Sequence, residues 1–523
     1  MPQVRTEGSA VTVFGGDPIR GELCSKCVSG LVANATTSAI ELGRTPVPGW
    51  FDERYFTFET RQAAAALVEW AAAVDLPWHL AIELDCISGS CQTVPCFPLW
   101  NCPRCEHLCR SLSLKVEDLA IGPFAPFIER PMQLGRSTPL AIFEFQVSPG
   151  KFESSFGSNY VAEHARRLAL WEGLERWATV AAPNGIGFTE GSYEQLESSG
   201  AIDPVELGLP AVVARDYVPY SPKLHLRWVE GERAGGGNAL VPEQMVFYTH
   251  EDVGRFAQAT SSGCAAGASL ADARLRAVLE LIERDAFLLA WHGALKPTKV
   301  GVDAVSGEVA EQIGYLSDRL GYDIRVLDVT TEFGVPCVIT LALNSSESLK
   351  RNPDLPWQFC SACARLDFNE AASHALDELA MLVEGQGAKF VANKDEANAL
   401  AEAVSSVRSI EDHALLGAHS SSRPYLERLL DRSNSGEPPI AMSEWGGVSA
   451  EEQLKHVSAL LAANGVEVVF VDQSNSLHKA CGVVVQRALG TGLIPMTFGF
   501  GHERLVGLER LNGRRQTRPH PFA

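Results

Sequence analysis

Apolar residues recur along the chain with two periods, and each period predicts one kind of secondary structure. Runs of β-branched and other apolar residues predict strands, whereas apolar residues spaced three and four apart predict helices. We expect strands at 140–147, 322–329, 335–343, 467–472 and 483–489. We expect helices at 161–181, 270–293, 304–320, 369–383 and 450–463. Residues 232–240 indicate a turn between strands, and 404–439 indicate partly loop structure. Together the two patterns predict a mixed α/β (α+β) fold.

One helical pattern occurs twice. Residues 165–178 and 273–286 are identical at seven of fourteen aligned positions, and each copy contains Glu-x-x-Glu-Arg. Glutamates three residues apart share one helix face, where their charges repel each other. A single copy is typical of a solvated surface with local ion pairs. Because the apolar positions are repeated with the charges, a cation site becomes an equally good interpretation. Carboxylate oxygens suit Mg²⁺, and its ligands would be Glu172, Glu175, Glu280 and Glu283.

Composition excludes several classes of protein. With 523 residues, 46% of them hydrophobic, the chain is long enough for more than one domain and a large core. A formal net charge of −20 argues against a nucleic-acid-binding protein that relies on a basic face. No uncharged apolar stretch reaches roughly 18 residues, and the N-terminus lacks a signal-peptide pattern. We therefore expect a cytoplasmic protein that binds neither membrane nor nucleic acid. Phosphate-loop, dinucleotide and nucleophile-elbow motifs are absent.

Cysteines concentrate at the N-terminal end. Eight of the thirteen precede residue 110, and four of these form two Cys-x-x-Cys pairs: Cys24/Cys27 and Cys102/Cys105. Two such pairs can hold a structural Zn²⁺. Redox-active or buried reduced thiols are the alternative, and Cys86, Cys91, Cys96 and Cys109 are further candidate ligands. We accordingly divide the chain into a Cys-rich region, 1–112, and a second domain, 113–523.

The segment 261–267, Ser-Ser-Gly-Cys-Ala-Ala-Gly, leads into the second Glu-x-x-Glu-Arg and resembles the YcaO family. The first Glu-x-x-Glu-Arg and the later segment 371–379 match the same family in order and spacing. The Cys-rich front and the ending 518–523 resemble its thiazole/oxazole-forming peptide maturase branch. The resemblance covers about residues 115–523 well and the first 110 more loosely. It implies a YcaO-type fold with a zinc-binding N-terminal region.

The resemblance also implies an activity and a set of site residues. In this branch, ATP phosphorylates a backbone amide oxygen of a ribosomally made precursor peptide. Its Cys, Ser or Thr residues thereby become thiazoline or oxazoline rings. By resemblance, the four repeated glutamates bind Mg²⁺. Nucleotide contacts are implied for Arg176, Arg284, Ser261, Ser262 and Asp272, with Lys151 as the candidate replacement for a missing Gly-Lys-Gly lysine. Catalytic contributions are implied for Glu378, His374 and the tail residues Pro519, Pro521 and Ala523.

The family further implies partners. These are the precursor peptide, a separate E1-like leader-binding protein, a flavin-dependent dehydrogenase as a further candidate, and a second copy in a homodimer. Two alternatives stay open. One is a thioamide- or amidine-forming enzyme with the same ATP site. The other is a non-catalytic, zinc-bearing scaffold, which the departures from the family pattern at Phe156, Ala268 and His374 motivate.

Overall fold

The computed structural model describes residues 125–522, with gaps at 136–137, 149–150, 160, 181, 184, 211–216, 249–253, 353, 436–444 and 446. Before these it describes 104–121, 102, 90–98, 79–85 and the short pieces 3–7, 10–14, 16–17, 21–22, 24, 66–67 and 77. Two residues of the predicted sites, Cys27 and Ala523, lie outside the described residues, as does Cys86.

The described strands, in chain order, are β1 (Gln3–Glu7), β2 (Ala10–Phe14), β3 (Gly16–Asp17), β4 (Gly21–Glu22), β5 (Leu80–Asp85), β6 (Cys91–Pro95), β7 (Phe127–Glu129), β8 (Gln133–Leu134), β9 (Pro139–Ser148), β10 (Lys151–Ser158), β11 (Phe188–Gly191), β12 (Leu209–Pro210), β13 (Leu226–Arg233), β14 (Asn238–Pro242), β15 (Cys264–Gly267), β16 (Thr298–Val300), β17 (Asp323–Asp328), β18 (Cys337–Leu343), β19 (Gln358–Ala364), β20 (Asn434–Ser435), β21 (Val468–Asp472), β22 (Val484–Gly490) and β23 (Arg504–Val506).

The described α-helices are α1 (Ala162–Thr179), α2 (Tyr193–Leu196), α3 (Leu270–His292), α4 (Gly307–Leu320), α5 (Ser346–Arg351), α6 (Phe368–Ala392), α7 (Lys394–Glu402), α8 (Ile410–Ala418), α9 (Arg423–Arg432), α10 (Ala450–Ala463) and α11 (Ser476–Ala480). Short 3-10 helices lie at Glu106–Ser111, Val116–Ala120, Glu197–Ser199, Glu243–Met245, Val302–Ala304, Val404–Ser406 and Ser420–Ser422. Within the described ranges, no helix is both long and apolar enough to cross a membrane.

The larger sheets are built from antiparallel neighbours. Their strand orders are β1-β2-β5-β6, then β10-β9-β7 with β8 on β9, then β11-β13-β21-β22-β15 with β14 on β13, and finally β19-β18-β17-β16-β20. Only the short β16–β20 pairing among these described strands is parallel. Helix α1 packs on β9 and β10, α3 packs on β15 and β22 and also contacts β19, and α6 packs on β18 and β19. Three helices thus share one arrangement, each covering a sheet that includes the strand preceding it.

The fold confirms the predicted mixture of helices and strands. The repeated segments are both helical, as α1 and α3, and residues 232–240 join β13 to β14 in an antiparallel hairpin. The segment 404–439 is more helical than its composition predicts, because it contains α8 and α9. Its Ser and Pro residues begin helices: Ser409 forms a capping box at α8, and Pro424 occupies the first turn of α9.

A glycine permits the closest helix–sheet approach near the site. A Cβ added to Gly157, in β10, would lie 2.2 Å from the carbonyl oxygen of Ala165 and 2.4 Å from the amide nitrogen of Ala169. Both atoms belong to the backbone of α1 and cannot rotate away. Gly157 therefore sets the distance at which α1, with its glutamates, lies against β10.

Candidate active site

The two glutamates of α1 are held by backbone N–H groups of strands. The N–H of Phe156, in β10, donates to Glu172 Oε2 at 2.6 Å. The N–H of Ala266, in β15, donates to Glu175 Oε2 at 3.3 Å. The first glutamate is therefore tied to the strand before its own helix, and the second to the strand before α3.

The glutamates of α3 are held in the same way, the first next to the strand before its own helix and the second by the strand before α6. The N–H of Gly263, just before β15, donates to Glu280 Oε2 at 3.2 Å, and the N–H of Ala364, in β19, donates to Glu283 Oε2 at 3.2 Å. The hydroxyl of Ser361, also in β19, donates to Glu378 of α6 at 2.8 Å. Three strand–helix units, β10–α1, β15–α3 and β19–α6, thus interlock through these carboxylates.

Neighbouring carboxylates of the cluster lie close enough to raise the pKa values of Glu175 and Glu283. Burial, reinforced by the charges of Glu280 and Glu172, raises the pKa of Glu175 to about 8. Burial raises the pKa of Glu283 to about 8, where Glu378 and Glu280 add to the effect. The pKa values of Glu172 and Glu280 are also raised, mainly by burial. So much negative charge in one partly buried site calls for cations.

Two arginines at equivalent positions of the repeat offset part of this charge. Arg176 pairs with Glu172 at 2.7 Å and also donates to the carbonyl oxygen of Ser154 at 3.0 Å. Arg284 lies between Glu280, at 3.3 Å, and Glu283, at 3.2 Å. Both guanidinium groups therefore contact the carboxylates predicted to bind metal, and both could also face an anion held there.

The other predicted nucleotide residues lie around the same cluster. Ser261 is exposed and Ser262 is buried, immediately before Gly263. Asp272 lies in the first turn of α3, where it accepts from the N–H of Ala268 at 3.1 Å and pairs with Arg276 at 2.8 Å. Its carboxylate is thus engaged locally, two turns before Glu280 on the same helix.

Lys151 and His374 are the remaining residues of the predicted site that can carry a positive charge. Lys151 begins β10, and its side chain lies outside the described part of the chain. His374 lies one turn before Glu378 on α6. Partial enclosure and the nearby charges of Arg365 and Arg276 lower the pKa of His374 to about 4. At neutral pH His374 therefore brings no positive charge to the site.

Two residues that sequence reasoning missed also face the cluster. Arg365 directly follows Ala364, and its charge lowers the pKa of Glu283. Among the described carboxylates it has no ion-pair partner, and it donates to its own neighbour, the carbonyl oxygen of Ala364, at 2.8 Å. The Tyr248 hydroxyl is hydrogen-bonded to Ser261 and lies near Glu280; burial raises its pKa. No motif marks either residue, since tertiary packing alone brings them here.

The C-terminal tail contacts the cluster at Arg284 of α3. The ring of Phe522 packs against the Arg284 guanidinium, 4.2 Å from the ring centroid, and against Phe287 at 5.0 Å between centroids. The backbone around Pro519 and Pro521 is buried with it. The predicted tail residues that the structure describes therefore end against one of the arginines of the site.

The cysteine prediction is supported in part. Among the described residues, Cys24, Cys102 and Cys105 form one group whose sulfurs all lie within 4.8 Å of one another, and Cys24 and Cys102 sulfurs are 3.6 Å apart. Tetrahedral zinc with bonds of about 2.3 Å would separate sulfurs by about 3.8 Å, so these three thiols fit a zinc ion. The glutamates do not converge as tightly. An ion among them would need further oxygen ligands, such as phosphate.

Comparison with known proteins identifies the class to which the chain belongs. Residues 156–493 match the family model described as YcaO cyclodehydratase, ATP- and Mg²⁺-binding. Because the match covers more than half of the chain, the chain is a member of the YcaO family. The matched range includes both Glu-x-x-Glu-Arg helices and α6.

Individual relatives are distant. An uncharacterized protein of the tfuA 3′ region of Rhizobium leguminosarum bv. trifolii is 23% identical over 350 residues, covering 63% of this chain and 74% of the relative. A heterocyclase in complex with substrate and cofactor gives a TM-score of 0.69 at 16% identity, covering 100% of this chain and 77% of that one. The heterocyclase TruD gives 0.60 at 15% identity, covering 99% and 73%. These structures confirm the predicted YcaO-type fold.

Proposed function

We propose that this chain is the ATP- and Mg²⁺-dependent cyclodehydratase subunit that forms thiazoline or oxazoline rings in a ribosomally made precursor peptide. The observation that carries the proposal is the convergence of Glu172, Glu175, Glu280, Glu283 and Glu378 from three interlocked strand–helix units. Membership of a family described as ATP- and Mg²⁺-binding supports the nucleotide as co-substrate. The resemblance of 518–523 to the tail of azoline-forming relatives supports the choice of ring formation.

In the proposed reaction, hydrolysis of ATP takes up the water that the peptide loses. A Cys thiol, or a Ser or Thr hydroxyl, adds to the preceding amide carbonyl carbon, and its proton leaves to a base. The resulting oxygen attacks the γ-phosphorus of ATP, and ADP departs. Loss of phosphate and of the amide proton then gives the azoline, so the peptide loses one water while ATP becomes ADP and phosphate. Mg²⁺ would supply neutralisation of phosphate charge.

The residues of the chain have separate tasks in this scheme. The glutamate pairs of α1 and α3 would hold Mg²⁺ through the carboxylate oxygens that do not accept a backbone N–H. In Glu172, Glu280 and Glu283 that oxygen contacts Arg176 or Arg284, which would turn to phosphate when the ion binds. Arg176 and Arg284 would contact phosphate oxygens, and Ser261 and Ser262 would line the nucleotide pocket with Asp272 at its edge. Glu378 would contribute as an acid or base near the reacting amide. Positioning and charge neutralisation, rather than a covalent intermediate, would provide the rate.

The function needs partners. We propose a precursor peptide as substrate, a separate leader-binding protein that delivers it, and a homodimeric state. A flavin-dependent dehydrogenase would act on the azoline product. The thiol group of Cys24, Cys102 and Cys105 would hold a structural Zn²⁺ together with a further ligand.

The intact mass of the precursor peptide tests the proposal. The peptide is incubated with Mg-ATP, its leader-binding partner and either the wild-type chain or Glu280→Gln. Loss of one water per modified residue with the wild type, and none with Glu280→Gln, is expected. Glu163→Gln is the matched control, because Glu163 is an exposed glutamate of α1 with 60% of its side chain accessible. Exchange of oxygen for sulfur or nitrogen would instead assign a thioamide- or amidine-forming enzyme. No mass change and no Mg-ATP binding would assign a scaffold.

A further inference from the structure

A buried histidine joins the C-terminal tail to the rest of the fold. His413, in α8, is 2% exposed. Its Nδ1 lies 2.8 Å from the carbonyl oxygen of His520, and its Nε2 accepts from the N–H of Gly499 at 2.8 Å. A carbonyl oxygen can only accept and an amide N–H can only donate. The hydrogen-bond pattern therefore assigns a neutral ring with its proton on Nδ1.

Further contacts hold the tail against the fold. Nε2 of His520 lies 2.9 Å from the carbonyl oxygen of Thr497, and the indole N–H of Trp291 donates to the carbonyl oxygen of Arg518 at 3.2 Å. On α8, a Cβ added to Gly417 would lie 2.8 Å from the Cβ of Pro521. Helix α8 thus contacts the tail twice, through the His413 ring and through the bare backbone of Gly417.

The position of the tail matters because of where it ends. Two residues after the carbonyl held by His413, Phe522 packs on the guanidinium of Arg284. That guanidinium lies between Glu280 and Glu283. A continuous set of contacts therefore runs from His413 through the tail backbone to Arg284 and the carboxylates.

We propose that His413 is a positioning residue: its Nδ1–H holds the backbone at His520 so that Phe522 fixes Arg284 in the site. The proposal rests on the function proposed above for its catalytic consequence, but not for the docking of the tail. The hydrogen bonds of His413 among the described residues go to His520 and Gly499, not to a predicted metal or nucleotide residue. It acts through the tail, from a helix in a segment whose composition indicates partly loop structure.

Two substitutions separate the two hydrogen bonds of His413. The side-chain amide nitrogen of Asn occupies nearly the place of Nδ1, so His413→Asn retains a donor to the tail. Gln reaches the place of Nε2, so His413→Gln retains the acceptor for Gly499 and loses the tail donor. If His413 positions the tail, His413→Asn resembles the wild type and His413→Gln does not.

The first readout needs neither peptide nor ATP. Carboxypeptidase digestion of the full chain, followed by measurement of the intact mass, reports how often the tail detaches from the rest of the fold. Release of the last residues is expected to be about tenfold faster in His413→Gln than in the wild type or His413→Asn, the factor for one neutral hydrogen bond. Equal release in all three chains would overturn the proposal. Failure of the proposed cyclodehydratase activity would leave this result unchanged, so the two failures are distinguishable.

A second variant moves the tail without changing the histidine. Gly417→Ala places a methyl group against Pro521 and is expected to speed tail release as His413→Gln does. Gly385→Ala, on α6, is the control, because a Cβ there meets nothing within 4 Å. In the azoline assay, His413→Gln and Gly417→Ala are expected to lower kcat about tenfold, while His413→Asn is expected to keep the kcat of the wild type. Wild-type tail release in Gly417→Ala, or loss of kcat in His413→Asn equal to that in His413→Gln, would overturn it.

Discussion

Glu283 allows a direct test of whether the carboxylate cluster is built for a bound cation rather than for stability. Glu283 is 8% exposed, and burial raises its pKa from 4.5 to about 8. The folded chain therefore favours the protonated form, whereas the unfolded chain ionises above pH 4.5. This contribution to stability is complete below pH 4.5 and is lost as the pH rises towards 8. Glu283→Gln, which mimics the protonated form, should stabilise the free protein at neutral pH.

The size of the effect follows from the two pKa values. Each unit of pKa difference corresponds to 1.36 kcal/mol, and pH 7 lies 2.5 units above the unfolded pKa of 4.5, so ionisation of Glu283 in the unfolded chain lowers the stability of the wild type by about 3 kcal/mol. For a chain of this length, with an unfolding entropy of about 1.1 kcal/mol/K, that is about 3 °C in Tm. Thermal unfolding of free Glu283→Gln at pH 7 is expected to lie higher than the wild type by up to this amount. The difference should shrink towards zero at pH 5.

Mg-ATP should reverse the order of the two proteins. The wild type is expected to gain Tm when Mg-ATP is added, because a ligand that binds only the folded state stabilises it. Glu283→Gln, having lost one ligand of the ion, should gain much less. Glu163→Gln, on the surface of α1, should change the free energy of unfolding by no more than about 0.5 kcal/mol and should therefore leave Tm almost unchanged. A lower Tm for free Glu283→Gln, or a difference that does not vary with pH, would refute this reasoning.

Three further results are expected. Elemental analysis is expected to find zinc in the wild type and in Cys91→Ser, at an exposed position, but not in Cys102→Ser; zinc retained in Cys102→Ser, or absent from the wild type, would contradict the site. Arg510→Ala should destabilise the fold by about 3 kcal/mol in thermal unfolding, because it leaves the carboxylate of Asp285, which is 0% exposed, without its ion pair at 2.7 Å, and an unchanged Tm would contradict this. Arg365→Ala should raise KM for ATP about tenfold with little change in Tm, while Arg325→Ala, on an exposed arginine, leaves KM unchanged; equal KM values would remove Arg365 from the site.

The repeat explains why the sequence predicts much of the candidate site. Because α1 and α3 share spacing and charges, Glu172, Glu175, Glu280 and Glu283 can be named from the residue pattern alone. Their helical extents are visible for the same reason. The resemblance to the YcaO family adds Glu378 and the tail, whose roles stay predictions.

The rest depends on contacts between distant parts of the chain. The N–H that holds Glu283 belongs to Ala364, 81 residues away, and the carbonyl that His413 contacts lies 107 residues away. No local pattern encodes such pairs. The helix that carries His413 also begins with Ser409, a residue type that marks turns as often as it caps helices. Composition alone therefore could not distinguish a helix from a turn at this position.

The crossed anchoring of the glutamates has a consequence for how the site opens. Because Glu175 of α1 is held by β15 and Glu283 of α3 by β19, separation of any two neighbouring strand–helix units removes a carboxylate from the cluster. Local unfolding and loss of the cation site then become one cooperative event. The amide protons of Ala266 and Ala364, which make the crossed hydrogen bonds, should consequently exchange with solvent together, and Mg-ATP should slow both at once.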